Sequence, residues 1–409
     1  MPPCPPSLAS TEAPALDDAL RAELDAIDRA ALRRRLHPMR RLPGALLQAG
    51  GRTLTDFASN DYLGLAADPR LADAAAAALG DAPTGAGAAR LISGDDPLHE
   101  RLERALAEFK GAPRALLFSS GYAANVGVIP ALAGRDDAIY SDALNHASIV
   151  DGCRLSRATV RIVPHGDLDA LDAVLDADAG RFRRRWIVVE GVYSMDGDRC
   201  PLDRVAALAC AHGAHTFVDD AHATGVLGPD GRGSAAHWGV DVDVTVGTLG
   251  KAFGTAGAFV AGSTALCDLL LHRARSFVFT TGTPPAMAAA TLRALEIARA
   301  EPWRRDRLRE NARRLRTGLA ALGRPAPGDD DGHVVPVPIG DAARTTAIGE
   351  ALHARGFAVG AVRPPTVPDG SSRLRLGASA AHTPAQIDAL LTALADLLGA
   401  FPGLPGALE

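Results

Sequence analysis

Between residues 65 and 295, short apolar runs alternate with stretches of helical spacing. The runs are Ala115–Phe118, Ala138–Tyr140, Thr159–Val163, Trp186–Glu190, Thr216–Asp219, Val242–Val246 and Ala258–Ala261. Each reads as a strand buried on both faces, because apolar residues run on without alternating with polar ones. Intervening patterns such as Leu168–Leu175 and Val205–His212 read as helices. Buried strands alternating with helices predict an α/β fold whose sheet is mostly parallel and flanked by helices. In such sheets ligands lie beyond the carboxyl ends of the strands.

The flanks differ. Asp17 to Leu36 is predicted as an amphipathic helix with Leu16, Leu20, Leu24, Ile27 and Leu32 on one stripe, ended by Arg33-Arg34-Arg35. An extended segment, Arg52 to Ala58, follows. After residue 295 come an arginine-rich helix (Trp303–Leu322), a turn-rich link (Pro325–Gly332) and a strand (His333–Pro338). A helix (Ala343–Arg355), a strand (Arg373–Leu376) and a last helix (Pro384–Leu398) complete the chain. This predicts three parts: an N-terminal segment with its helix (1–57), a large domain (58–295) and a smaller C-terminal α+β domain (296–409). The Pro-rich first 15 residues read as a disordered lead without a signal-peptide pattern.

Composition narrows the class. The 409 residues are 47% hydrophobic with a net charge of −5, and no apolar run reaches membrane-spanning length. Nucleic-acid and membrane-surface roles are disfavoured. Cys4, Cys153, Cys200, Cys210 and Cys267 form no CxxC pair, which fits a reduced, cytoplasmic setting.

The chemistry centres on Thr248-Leu249-Gly250-Lys251-Ala252-Phe253-Gly254. A lysine between two apolar strands either snorkels to water or acts as a Schiff-base amine whose pKa burial lowers. Asp219, at a strand's carboxyl end with His222 three residues on, suits a metal or a protonated pyridine nitrogen. A compact metal site with His215 is disfavoured, since that residue sits at the other end of the strand, roughly 13 Å away. Ser119-Ser120-Gly121-Tyr122 opens a helix after a strand, where backbone N–H groups can hold a phosphate. Asn145-His146 also follows a strand, and His146 could stack on a flat ring. Gly85-Ala86-Gly87-Ala88-Ala89-Arg90 lacks the third glycine and the preceding strand of a dinucleotide fingerprint. Together these parts call for pyridoxal 5′-phosphate. A metal-dependent hydrolase built on Asp219, Asp220 and His222 is the alternative from another class.

The ordered set Ser59-Asn60-Asp61-Tyr62-Leu63-Gly64-Leu65, Gly85 to Gly94, Ser120 to Asn125, Glu190 to Asp198, Val218 to Gly225 and Thr248 to Gly254 resembles the α-oxoamine synthases. These are fold-type I pyridoxal-phosphate enzymes. The resemblance implies that Lys251 holds the cofactor, Asp219 pairs with the pyridine nitrogen, His222 approaches the ring hydroxyl and His146 stacks on the ring. It gives the phosphate to Gly121, Tyr122 and Thr248, with Thr281 supplied by the partner of a homodimer, and sets Ser194 beside the ring. It assigns substrate binding to Arg33, Asn60, His146, Glu190, Arg363, Thr366 and Arg375, with Arg34 close enough to compete with Arg33. Asn145 stands where the family is expected to carry serine. Arg373 and Arg375 alternate with leucines, so both face one side of a strand, which suggests a nearby anion. The implied reaction is a decarboxylative condensation of L-alanine with a pimeloyl thioester on CoA or an acyl carrier protein. Sister synthases using glycine or serine are the alternative within the family. No metal is expected.

Overall fold

The computed structural model of the chain describes residues 16–400; the Pro-rich lead, residues 1–15, lies outside the described residues. A seven-stranded sheet runs through the centre. In spatial order its strands are Arg114–Phe118, Ala258–Gly262, Val244–Thr248, His215–Asp219, Arg185–Glu190, Ala138–Asp142 and Thr159–Val163. The last five pair in parallel, and Ala258–Gly262 runs antiparallel to both of its neighbours. All seven apolar runs therefore form strands of one mostly parallel sheet. Every residue of Ala138–Asp142 and Val244–Thr248 is buried, which is why these runs do not alternate.

The strand predicted at 242–246 begins and ends two residues later, at Val244–Thr248. Asp243 is held before the strand by the Thr216 backbone N–H at 2.8 Å and its hydroxyl at 3.0 Å. Pairing of Thr248 with Ala258 then draws the strand forward. Helices Gly121–Leu132, Ala147–Ser156 and Thr264–Arg273 cover one face through a core that includes Val128, Ile149, Cys267 and Leu270. Leu168–Ala177 and Leu202–His212 cover the other through Leu171, Leu175, Leu202 and Val205. Each such side chain contributes about 1.5–3 kcal/mol by leaving water.

The N-terminal helix spans Leu16–Arg29 and stops seven residues short of the predicted end. Arg363 takes the Ala31 carbonyl at 2.7 Å, and Ala31 adopts a left-handed φ of 56°. The predicted stripe exists, but Leu16, Leu20, Leu24 and Ile27 all remain exposed. Two strands that the sequence did not announce, Arg40–Leu42 and Leu46–Ala49, pair antiparallel ahead of Arg52–Asp56. They are short and partly polar. Phe357–Ala358, from the far end of the chain, adds to Arg52–Asp56 in parallel. A second small sheet joins Val334–Gly340, Ser372–Gly377 and Gly360–Val362, with Trp303–Ala321, Ala342–Ala354 and Pro384–Ala400 packed around it.

The arginine-rich helix Trp303–Ala321 sets a solvated face with Arg307, Arg313 and Arg314 over the buried stripe Leu308, Ala312, Leu315 and Leu319, but three of its arginines leave that face. Arg304, Arg305 and Arg316 are buried. They donate to backbone oxygens: Arg304 to Leu63 at 2.8 Å, Arg305 to Ala298 at 2.6 Å, and Arg316 to Gly332 at 3.0 Å. Arg304 thereby ties the helix to the Leu63 loop, while Arg305 and Arg316 brace the segments that flank the helix itself.

Candidate active site

Parallel register sets the centre of the site. Glu190 lies opposite Asp219, and Asp219 opposite Val246, so adjacent strands deliver their ends in one row. Two residues past Val246 comes Thr248, and the turn that follows carries Lys251. That turn is closed by Gly254 N–H on the Lys251 carbonyl at 2.9 Å and Thr255 N–H on the Leu249 carbonyl at 3.0 Å. Gly254 has φ +67°, and a Cβ there would come within 2.4 Å of the Ala66 nitrogen. Only glycine fits this backbone approach.

Asp219 is buried, yet no cation lies within ion-pair distance of it among the described residues. Its carboxylate accepts from the Asn125 amide at 2.6 Å and from the Ala221 N–H at 3.0 Å. A desolvated carboxylate with two neutral donors retains acceptor capacity for a cationic partner. Asp220, by contrast, faces away: Lys110 Nζ meets it at 2.7 Å and Ser234 N–H at 3.1 Å. The Asp219, Asp220 and His222 set therefore does not converge on one point, and the described residues hold no cluster of three suitable metal ligands.

A polar relay runs from Lys251. Its Nζ lies 2.9 Å from His222 Nε2, and His222 Nδ1 lies 2.6 Å from the Tyr62 hydroxyl. Tyr62 donates to Asn60 Oδ1 at 3.0 Å. Arg375 donates to the same Asn60 oxygen at 3.0 Å, to the Ser194 carbonyl at 2.6 Å and to the Tyr62 oxygen at 3.4 Å. All the partners of the buried Arg375 guanidinium are neutral. Arg373, predicted on the same face, is instead ion-paired with Asp196. One arginine of the two is left for an anion.

Burial sets the charges. Desolvation first, then Arg375, lowers the Lys251 pKa to about 8 against the opposing pull of Asp219 and Glu190. Desolvation pushes His222 well below the imidazole range, with Lys251 and Arg375 adding to the shift. Glu190 is raised well above the carboxylate range by burial and by Asp219. His333 packs edge-on to Tyr62 with ring centroids 4.2 Å apart and is lowered to about 3, chiefly by burial. A lysine that loses its proton near pH 8 thus stands among neutral histidines, beside the Asp219 carboxyl group and the Arg375 guanidinium.

His146 completes the row. Glu190 Oε1 accepts its backbone N–H at 2.6 Å. Its ring has accessible surface, yet enough protein surrounds it that desolvation lowers its pKa. Asn145, the departure from the expected serine, is buried and donates to Ser141 Oγ at 2.9 Å and the Val188 carbonyl at 2.7 Å, anchoring the turn beneath His146. The helix Gly121–Leu132 starts beside Thr248: a Cβ on Gly121 would lie 3.9 Å from the Thr248 Cβ. Ser120 caps this helix by accepting from Ala123 N–H, which leaves the Gly121 and Tyr122 N–H groups facing outward from the first turn. These groups, with Thr248, suit a phosphate. The Tyr122 hydroxyl itself bonds Asp151.

Lys251, Asp219, His222, His146, Glu190, Ser194, Asn60 and Arg375 therefore come together. Arg33, Arg363 and Thr366 form a separate, outer group. Arg34, not Arg33, reaches Thr366 Oγ1, at 3.3 Å, while Arg33 pairs with Asp28 at 3.4 Å. Arg33, Arg34, Arg35, Arg363 and Glu350 line a cavity of about 980 Å³ that extends to Ala58, two residues from Asn60. Thr281 is exposed and bridges to Ala89, with no hydrogen bond to Thr248 or the Gly121 turn. Sequence reasoning missed Tyr62, Asn125, Ser148 and His333 as site residues. Tyr62 and Asn125 lay inside quoted motifs, but nothing local marks which motif residues turn inward.

Residues 52–394 match the family model for aminotransferase class I and II. The 8-amino-7-oxononanoate synthase of Anaeromyxobacter dehalogenans (strain 2CP-1) is 51% identical over 95% of this chain and 97% of its own. That of Methylococcus capsulatus is 50% identical over 85% and 89%. Among solved structures, the serine palmitoyltransferase of Sphingomonas wittichii superposes with a TM-score of 0.89 at 33% identity, covering 95% and 98% of the two chains. The 8-amino-7-oxononanoate synthase of Francisella tularensis gives 0.74 at 28% identity, covering 85% and 98%. The chain therefore belongs to the aminotransferase class I and II family, in its 8-amino-7-oxononanoate synthase branch.

The depressed Lys251 pKa has a signed consequence. In the unfolded chain the lysine titrates near its ordinary 10.5, and in the cofactor-free fold near 8. Between these values the unfolded state binds more protons, so stability rises with pH. From pH 7 to pH 10, cofactor-free wild type gains about 2–3 kcal/mol relative to Lys251→Ala in urea titrations. Equal pH slopes for the two proteins refute the shift.

Proposed function

We propose that this chain condenses L-alanine with a pimeloyl thioester, with loss of CO2 and release of the free thiol, to give 8-amino-7-oxononanoate for biotin synthesis. It does so as a cytoplasmic, pyridoxal-phosphate-dependent homodimer. The observation that carries the reading is the pair of buried, opposite charges, Asp219 and Arg375, which both act on buried Lys251 and have no ion-pair partner among the described residues. Bound pyridoxal phosphate supplies an electron-withdrawing ring that stabilises negative charge at the substrate α-carbon. The residues present fit that group. Asp219 has acceptor capacity for a protonated ring nitrogen, and Gly121, Tyr122 and Thr248 offer a phosphate cradle.

The chain's own groups do the rest. Lys251 Nζ, partly neutral near pH 8, serves as attachment nucleophile and as the base that takes the α-proton. His222, neutral, passes no charge to the amine and orients it through the Tyr62 hydrogen bond. His146 would lie against the ring face. Glu190, kept protonated by burial, adds no second negative charge beside Asp219. Arg375 takes the amino acid's carboxylate with its fork, and Asn60 and Ser194 fix that fork in place. The outer cavity lined by Arg33, Arg34 and Arg363, with Thr366 held by Arg34, takes the anionic end of the acyl substrate. Thr281 of the partner completes the phosphate site.

The purified enzyme is assayed with L-alanine, glycine or L-serine against pimeloyl and palmitoyl thioesters, on CoA and on acyl carrier protein, with product mass measured. Alanine with a pimeloyl thioester is the expected pair. Much faster turnover of glycine or serine, or rejection of pimeloyl donors alone, overturns the branch assignment.

Arg375→Ala raises the KM for alanine by a factor of about 10 to 100, because a charge-assisted hydrogen bond contributes about 1.5–3 kcal/mol. An unchanged KM removes Arg375 from the substrate site. Sedimentation of the same preparation gives a dimer, and a fully active monomer rules out the shared site.

A further inference from the structure

Two side chains, Asn125 and Ser148, link Asp219 to His146. Asn125 Nδ2 donates to Asp219 Oδ2 at 2.6 Å and to Ser148 Oγ at 2.9 Å. Ser148 Oγ lies 2.7 Å from His146 Nδ1, and Ser148 N–H reaches the same nitrogen at 3.2 Å. Asn125 and Ser148 are both 1% exposed, so water does not supply alternative partners.

The donors can be counted along this chain. The Asn125 amide must face Asp219 with its NH2, because a flip would place two acceptor oxygens 2.6 Å apart. The buried Asn125 Oδ1 consequently has no partner, a cost the structure accepts to keep this orientation. Both amide hydrogens are then spent, one on Asp219 and one on Ser148 Oγ. Ser148 Oγ, having accepted one hydrogen bond from Asn125, has its single proton for His146 Nδ1. His146 is also the N-cap of the helix Ala147–Ser156, accepting from Ser148 N–H. Side chain and backbone thus both present donors to Nδ1, and no proton fits there.

We propose that Asn125 and Ser148 are positioning residues that hold His146 as its Nε2–H tautomer and couple its orientation to that of Asp219. The inference rests on the reading that His146 and Asp219 are the ring-contacting groups. Its consequence is that His146 keeps one ring orientation with its proton on Nε2 and does not act as a base through Nδ1. The charged and titratable groups around the imidazole are Asp219, which favours its protonation, Lys251, which opposes it, the neutral His222, and Glu190 at its backbone. None of them contacts Nδ1.

Neutron diffraction from a deuterated crystal of the cofactor-loaded enzyme tests this without a variant. Deuterium is expected on His146 Nε2 and absent from Nδ1, with the Ser148 deuteron aimed at Nδ1. Deuterium on Nδ1, or an Asn125 oxygen facing Asp219, overturns the proposal. A second readout is the His146 titration, followed by NMR after histidine-selective 15N labelling. Ser148→Ala leaves the backbone donor but removes the hydroxyl, so the midpoint rises by about 0.5–1 pH unit, while Ser148→Thr leaves it in place. Equal midpoints in wild type and Ser148→Ala overturn the coupling. Neither measurement depends on which amino acid or thioester is turned over, so a failed substrate assignment and a failed relay are told apart.

Discussion

The site depends on keeping water away from the carboxyl edge of one parallel sheet. Glu190 and Asp219 stand side by side there because their strands pair in register, with Lys251 just beyond. In water two adjacent carboxylates and an ammonium would all ionise. Buried, one carboxyl group and the imidazoles stay neutral, and the lysine falls to about 8. Desolvation is thus the source of the reactivity, and the helices and small domain that cover the edge are part of the chemistry. Arg304 of Trp303–Ala321 serves this end by gripping the Leu63 carbonyl, in the same loop as Asn60 and Tyr62.

Neutral groups do much of the work in holding charged ones. Asp219 rests on an asparagine, and Arg375 on an asparagine oxygen, a tyrosine and a backbone carbonyl. An internal ion pair at either place would satisfy the charge and leave nothing for a ligand. Leaving a buried charge with neutral hydrogen bonds costs stability. That cost is tolerated because the scaffold around it is rigid.

The large domain was legible because its strands are buried on both faces and so read as unbroken apolar runs. Lys251, Asp219 and His222 were legible for a related reason: a charged or titratable residue at the end of such a run is conspicuous. Tyr62 and Ser148 were not. Tyr62 meets His222 across 160 positions, and Ser148, though it touches His146, reaches Asp219 only through the distant Asn125, so neither role leaves a local trace. The choice between Arg33 and Arg34 was equally hidden, since it turns on where the chain leaves its first helix. The arginine-rich helix misled because composition cannot tell a solvated guanidinium from one that clamps a carbonyl. Short polar strands such as Arg40–Leu42 carry too few residues for any period to show.

The parallel pairing of Arg52–Asp56 with Phe357–Ala358 also shapes the birth of the protein on the ribosome. The first strand emerges about 300 residues before its partner. At a synthesis rate of about 5–20 residues per second, it waits roughly 15–60 s with one edge unpaired. An open strand edge is a template for stray pairing. In this chain the exposed edge is a short segment, and the charged Arg52 and Asp56 at its two ends make it a poor surface for another strand to join while it waits.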